Sequence, residues 1–137
     1  MSILPTEQQL AEIVSSTDDG PVFMLNLLRF KELADGIDEG VSGAEAYARY
    51  SAATEPFLHA VGGRLKVAIQ PQQTVIGPAE SEWDLILLVE YPSRAKFMEM
   101  AANPEYMKIH AHREAALADS RLIACADLTA VALSQLG

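Results

Sequence analysis

The sequence of this chain predicts an α+β fold of the ferredoxin-like type, with helices packed on one face of a four-stranded sheet. Its second half has a strand–helix–helix–strand pattern over residues 83–91, 93–102, 103–117 and 121–127. An earlier strand, helix and strand span residues 22–76. A strand, helix and strand that occur twice in one short domain are typical of the βαββαβ sandwich.

Length and composition agree with one domain that buries a core. The chain has 137 residues, half of them apolar, with residues 1–20 as an N-terminal helix and linker, 21–127 as the core and 128–137 as a tail. The net charge is −9 and the ten basic residues are scattered, which argues against nucleic acid or an anionic membrane as a partner. Without a signal sequence pattern or a long apolar run, we expect a soluble, cytoplasmic protein.

Each predicted element has a local signal. Thr6 is placed to cap a helix over residues 5–16, and residues 22–30 form an almost continuously apolar strand. A polar loop with room to move is predicted over residues 31–41. Ser42 and Glu45 form a capping box for a helix that runs to about His59, with a kink expected at Pro56.

The later elements follow the same reasoning. Residues 64–70 alternate as an edge strand, with Leu65, Val67 and Ile69 on one face, and pairing could resume at residues 74–76. Ser93 caps the next helix, and Asn103 with Pro104 restarts it. The tail could add a further strand.

The predicted sheet is apolar on both faces. One face packs under the helices, and we assign to the other face Met24, Leu28, Ile86, Leu88, Ile123 and Cys125. A soluble monomer rarely exposes so large an apolar surface, so the sequence favours a homodimer in which two sheets close into a barrel. The alternative is that the N-terminal helix and the tail fold over this face.

Several short motifs resemble one known family. They are Tyr47-x-x-Tyr50, Gly62-Gly63, the strand ending Glu90-Tyr91-Pro92-Ser93, and Pro104-Glu105-Tyr106 followed seven residues after the tyrosine by Arg113. Together they resemble domain-of-unknown-function family 1330 of the dimeric α+β barrel superfamily, over residues 21–127. The resemblance implies the fold and a homodimer but no established reaction. Superfamily relatives include cofactor-independent monooxygenases, lactone isomerases, stress-response barrels and haem enzymes.

Candidate site residues concentrate on the second helix of the second half. Tyr106, His110 and Arg113 recur there at spacings of four and three, which places them on one stripe. If the stripe faces a cleft, Arg113 can hold a carboxylate or enolate and His110 can transfer a proton. The alternative is that Arg113 pairs with Glu90 or Asp84 at the rim.

Asn26, Arg29, Tyr47 and Tyr50 are further candidates for ligand binding. Asn26 interrupts an apolar strand, so its amide either points into a pocket or bonds a neighbouring group. Arg29 ends that strand, at a pocket rim or in a surface ion pair. The two tyrosines are core aromatics unless a hydroxyl reaches the cleft.

The sequence predicts no metal site and no cofactor. His110 and His112 are two residues apart, which directs them to different sides of a helix, and no phosphate-binding or nucleophile motif occurs. Haem is harder to exclude, because some superfamily relatives bind it through one histidine. Cys125 is expected to be a small buried residue.

Two classes of function remain open. One is a cofactor-independent enzyme, an isomerase, lyase or monooxygenase-like protein that acts on a small anionic or enolisable molecule. The other is a non-catalytic small-ligand-binding or stress-related dimer.

Overall fold

The computed structural model of the protein describes residues 1–80 and 82–135. The helices are α1 (Glu7–Ser15), α2 (Gly43–Ala60), α3 (Arg94–Ala101) and α4 (Pro104–Ala116), and the strands are β1 (Val22–Phe30), β2 (Arg64–Ile69), β3 (Leu85–Tyr91) and β4 (Leu117–Cys125). Short 3₁₀ turns occur at Gly36–Asp38 and Leu133–Gln135.

The four strands form one antiparallel sheet in the order β2-β3-β1-β4. The outer strands β2 and β4 each follow a helical connection, as in a ferredoxin-like βαββαβ sandwich. The predicted fold class is therefore confirmed. Within the described part of the chain, no helix combines the length and apolar composition needed to cross a membrane.

The predicted helix starts agree with the structure. The Thr6 hydroxyl accepts a hydrogen bond from the amide of Gln9, and the side-chain Oε1 of Gln9 accepts one from the amide of Thr6. Ser42, Ser93 and Asn103 accept bonds from the first-turn amides of α2, α3 and α4. Each bond satisfies an amide that the helix itself leaves without a partner.

Our assignment of the two faces of β1 was wrong. Met24 and Leu28 are buried against the helices, and the residues that face the other way are Phe23, Leu25 and Leu27. Pairing across the sheet places Ile86, Leu88, Ile123 and Cys125 on that outer face, as predicted. Because β1 is apolar at nearly every position, its alternation carries no information about which side meets the helices.

The faces of β2 also differ from the prediction, because the strand contains a bulge. The register shifts between Leu65 and Val67, so Leu65 pairs with Val89 on the helix face while Val67 and Ile69 pair with Leu88 and Ile86 on the outer face. An extra residue in one strand reverses the alternation beyond it. The strand lies at a sheet edge as predicted, but it ends at Ile69 and does not resume at residues 74–76.

The junction between α4 and β4 is tighter than predicted. The helix ends at Ala116 and the strand begins at Leu117 with no loop between them. Asp119 and Ser120, which lie between the predicted helix and the predicted strand, are consequently buried strand residues.

The loop over residues 31–41 is anchored by a buried carboxylate. Asp38 is only 1% exposed; its Oδ1 accepts a bond from Arg49 Nη1 at 2.8 Å, and its Oδ2 lies 2.6 Å from His112 Nδ1. Burial alone would raise the pKa of this carboxyl, but the bonds with His112 and Arg49 outweigh it and hold the pKa below 3.8. The charged carboxylate thus ties the loop to α2 and α4.

The two termini do not cover the outer face together. The N-terminal segment and α1 lie on the helix side, beside α3. The tail passes one end of the outer face, where Asp127 and Thr129 come near Lys66 and Val67. Through residue 135 it forms no strand, contrary to the prediction, and residues 136–137 lie outside the described residues.

We expect Asp38→Asn to lower the free energy of unfolding by about 1–3 kcal/mol at pH 7, because it weakens two charge-assisted bonds at a buried position. Asp35→Asn removes the same charge from the exposed pair with Lys31 in the same loop and should cost less than about 1 kcal/mol. Urea denaturation measures both changes.

The effect of Asp38 should also depend on pH with a definite sign. Its pKa is lower folded than unfolded, so its contribution is complete well above pH 3.8 and is lost as the pH falls through the folded value. An equal cost of Asp38→Asn and Asp35→Asn at neutral pH would contradict the anchoring role.

Candidate functional site

A large cleft lies between the helices and the helix face of the sheet. Its volume is about 1590 Å³. The helices do not cover this part of the sheet closely: Leu122 points to the helix side from β4 and still keeps 46% of its surface exposed. The apolar walls include Met24, Leu87, Val89, Phe97 and Leu122.

One end of the cleft is polar, and its groups come from facing stripes of α2 and α4. Tyr50 of α2 and Tyr106 of α4 meet with their hydroxyl oxygens 2.5 Å apart. The ring of His110, one turn after Tyr106, packs edge-on at 6.0 Å from the Tyr106 ring and 6.4 Å from the Tyr50 ring. The ring of Tyr47, one turn earlier, packs at a tilt against the ring of Tyr50, with 5.3 Å between the ring centroids. The stripe predicted on α4 therefore does face the cleft.

Arg113 completes this group and is 7% exposed. Its Nη1 donates a hydrogen bond to the backbone oxygen of Ile3 at 3.0 Å. Across residues 1–80 and 82–135, its guanidinium has no carboxylate oxygen within 4.0 Å. The rim ion pair with Glu90 or Asp84 is thus not formed.

The two carboxylates considered for that rim pair are engaged elsewhere. Glu90 pairs with Arg64 at 3.0 Å on the outer face. Asp84 accepts a bond from the amide of Phe30 at 2.9 Å.

The electrostatics of the cleft favour a neutral imidazole. Burial, together with the positive charge of Arg113, lowers the pKa of His110 below 6.5, and Glu114, at 3.7 Å from its Nδ1, only partly opposes this. Burial also raises the pKa values of Tyr47 and Tyr106, so both hydroxyls stay protonated near neutral pH. The cleft therefore offers a cation, a neutral proton acceptor and hydroxyl groups.

Asn26 and Arg29 lie on opposite sides of the sheet. Asn26 lines the cleft, and its Nδ2 also donates to the backbone oxygen of Met24 at 3.2 Å. Arg29 lies on the outer face, 3.4 Å from Asp119 and over the ring of Trp83 at 5.9 Å. The structure thus brings together Asn26 with the candidates on α2 and α4, and separates Arg29 from them.

Sequence reasoning missed the groups that close the polar end of the cleft. Ser120 Oγ donates to the backbone oxygen of Ser2 at 2.6 Å, and Asp119 Oδ1 accepts from the Ser2 amide at 2.8 Å. The latter bond is the main reason that the pKa of Asp119 falls to about 2. Thr54, one turn after Tyr50 on α2, has a buried hydroxyl without a protein partner in the described residues. No sequence signal marked the contacts of Ser2 with Asp119 and Ser120, because they join segments that are far apart in the chain.

Among the described residues, no three histidine, cysteine or acidic side chains are grouped as metal ligands. His110 faces the cleft, whereas His112 points to Asp38. This is the divergence that their spacing predicts.

The family model described as "Domain of unknown function (DUF1330)" matches residues 38–126. A crystal structure of a protein of unknown function from Rhodopseudomonas palustris is 39% identical, covers 93% of this chain and 97% of its own, and has a TM-score of 0.86. No curated protein matches the sequence.

Two more distant structures share the fold. A dimeric protein of unknown function with a ferredoxin-like fold from Bacteroides fragilis is 13% identical, with a TM-score of 0.52 over 79% of this chain and 97% of its own. SnoaB, a cofactor-independent oxygenase from Streptomyces nogalater, is 13% identical, with a TM-score of 0.50 over 80% of this chain and 96% of its own.

We expect the pKa of His110, measured by NMR titration of its ring protons, to lie below 6.5. Arg113→Met should raise it, because the variant removes a nearby positive charge. Glu114→Gln should lower it further, because the negative charge that favours the imidazolium is lost. If both variants moved the pKa in the same direction, this description of the cleft would be incorrect.

Proposed function

The chain belongs to the DUF1330 family, and we propose that it binds a small anionic or enolisable organic molecule in the cleft on the helix side of its sheet. The observation that carries this proposal is the buried Arg113 guanidinium, which has no carboxylate partner in the part of the chain described.

Burial of an unpaired charge is costly, and a neutral carbonyl oxygen compensates for it only in part. A ligand carboxylate or enolate would supply the missing charge through a short, charge-assisted bond. The apolar walls formed by Met24, Leu87 and Phe97 suit the hydrocarbon part of such a molecule. We propose that four polar side chains around the same cleft orient the bound molecule. They are Asn26, Tyr47, Tyr50 and Tyr106.

A proton-transfer reaction is the chemistry that these groups favour. Neutral His110 would accept a proton from a carbon next to the ligand's carbonyl group, breaking the C–H bond and forming an N–H bond. Arg113 would stabilise the enolate that results, and return of the proton to another carbon would complete an isomerisation. A lyase reaction would begin from the same enolate. A monooxygenase-like reaction would also begin there: dioxygen, as a co-substrate, would take electrons from the enolate, form a C–O bond at its carbon and leave its second oxygen atom as water. All these groups belong to the chain itself, so the proposal includes no cofactor.

We also propose that the protein is a homodimer joined through the outer face of the sheet. Ile69 and Ile123 are 52% and 45% exposed there, beside Leu25, Leu27, Ile86 and Leu88. A second copy offers an apolar surface of the same kind through a two-fold axis. The cleft lies on the opposite side of the sheet, so this contact would leave it accessible.

We expect Arg113→Leu to weaken the binding of small carboxylates roughly ten- to a hundredfold, because a charge-assisted bond is lost. Lys108→Leu removes the same charge from the exposed side of α4, where Lys108 pairs with Glu105, and should leave affinity unchanged. Calorimetric titration with a panel of aromatic and aliphatic carboxylates measures both variants. Marked destabilisation of Arg113→Leu with unaltered affinity would contradict the proposed site.

Turnover separates the two classes of function. For any carboxylate that binds, His110→Gln should abolish proton exchange at the neighbouring carbon while affinity changes little. If the wild type binds such ligands but exchanges no proton, the protein is better described as a non-catalytic ligand-binding or stress-related dimer.

Leu88→Asp should yield insoluble or unfolded protein, because it places a charge at the centre of the proposed dimer contact. Ile76→Asp introduces the same charge at a side chain that is 94% exposed in the loop after β2 and should be tolerated. Light scattering of the wild type should give twice the monomer mass at micromolar concentration. The monomer mass, or a soluble and well-folded Leu88→Asp variant, would contradict the dimer.

A further inference from the structure

We propose that the N-terminal segment, residues 2–6, competes with the ligand for Arg113 and so regulates access to the cleft. This inference rests on the proposed anion site. Its basis is that the contact an anionic ligand would make with Arg113 is occupied by an oxygen of the chain itself.

Three hydrogen bonds hold the segment over the polar end of the cleft. Arg113 Nη1 donates to Ile3 O at 3.0 Å, Ser120 Oγ donates to Ser2 O at 2.6 Å, and the Ser2 amide donates to Asp119 Oδ1 at 2.8 Å. The side chain of Ile3 packs against the core. The segment therefore occupies a defined position.

The continuation of the segment is weakly attached, which makes its release feasible. None of the nine residues of α1, all of them described, is fully buried, and Val14 is 67% exposed. Segments with few buried apolar contacts open at a small fraction of the global unfolding free energy. The N-terminal segment and α1 can therefore move away while the sheet and α2–α4 stay folded.

The chemistry of Arg113 explains why an anion would replace the segment. Ile3 offers a neutral carbonyl oxygen, whereas a carboxylate or sulfonate offers a charged acceptor that forms a stronger bond. A neutral ligand has no such advantage over Ile3. The segment would thus favour anionic ligands, and the apparent affinity would equal the intrinsic affinity multiplied by the fraction of molecules in which the segment is released.

The experiment uses the fluorescent probe anilinonaphthalene sulfonate, which combines an apolar body with one anionic group. Ser120→Ala removes the bond to Ser2 without altering Arg113, and Ser134→Ala is the matched control at an exposed position. We expect Ser120→Ala to bind the probe roughly two- to tenfold more tightly, the range for one hydrogen bond. Ser134→Ala should bind like the wild type. In the Ser120→Ala/Arg113→Leu double variant, the gain should disappear.

Hydrogen exchange on the wild type provides a second readout that needs no variant. Amides of residues 2–16 should exchange faster at saturating probe, whereas a ligand that leaves the segment in place would slow them or have no effect. Unchanged or slower exchange would overturn the inference. So would a Ser120→Ala variant that binds like the wild type or keeps its gain without Arg113.

Different results would contradict the proposed anion site itself. If Arg113→Leu binds the probe as tightly as the wild type, or if no variant binds it, the anion site itself is incorrect. If Arg113→Leu weakens binding but Ser120→Ala has no effect, the site stands and the competing segment does not.

Discussion

A buried guanidinium without a carboxylate partner in the described chain is the constraint on which the polar end of the cleft depends. A charge at 7% exposure requires compensation, and the carbonyl of Ile3 supplies part of it. The same charge disfavours protonation of His110 and opposes the rise in the pKa of Tyr47 that burial causes. The tight passage from α4 into β4 brings Ser120 close enough to hold the segment that carries Ile3. A neutral proton acceptor and a cation that lacks a carboxylate partner in the described residues therefore arise from one arrangement.

The two apolar faces of the sheet meet different surroundings. On the helix side, the helices cover only part of the sheet and leave a cleft whose walls include Leu87 and Leu122. On the outer side, Ile69 and Ile123 remain substantially exposed. One sheet can thus provide the wall of a ligand site and the surface for a second copy, because strand side chains alternate between its faces. The bulge in β2 contributes by directing Val67 and Ile69 outward.

Local signals predicted the elements well, because caps such as Ser42, Ser93 and Asn103 act within one turn of their own helix. Helical spacing also placed Tyr106, His110 and Arg113 on the side that faces the cleft. The faces of β1 could not be predicted, since a strand that is apolar throughout has no polar side to mark the exterior. The contacts of Asp38 with His112 and of Ser120 with Ser2 join positions that are 74 and 118 residues apart, and spacing along the chain carries no information about such pairs.

The most direct test of the account is a crystal structure of the protein with phenylpyruvate, a small enolisable carboxylate with an apolar ring. We expect a carboxylate oxygen within about 2.7–3.2 Å of an Arg113 guanidinium nitrogen, with the ring among the apolar walls and the carbon next to the carbonyl facing His110. Phenylpyruvate bound elsewhere at full occupancy, with the hydrogen bond from Arg113 to Ile3 still in place, would contradict this expectation.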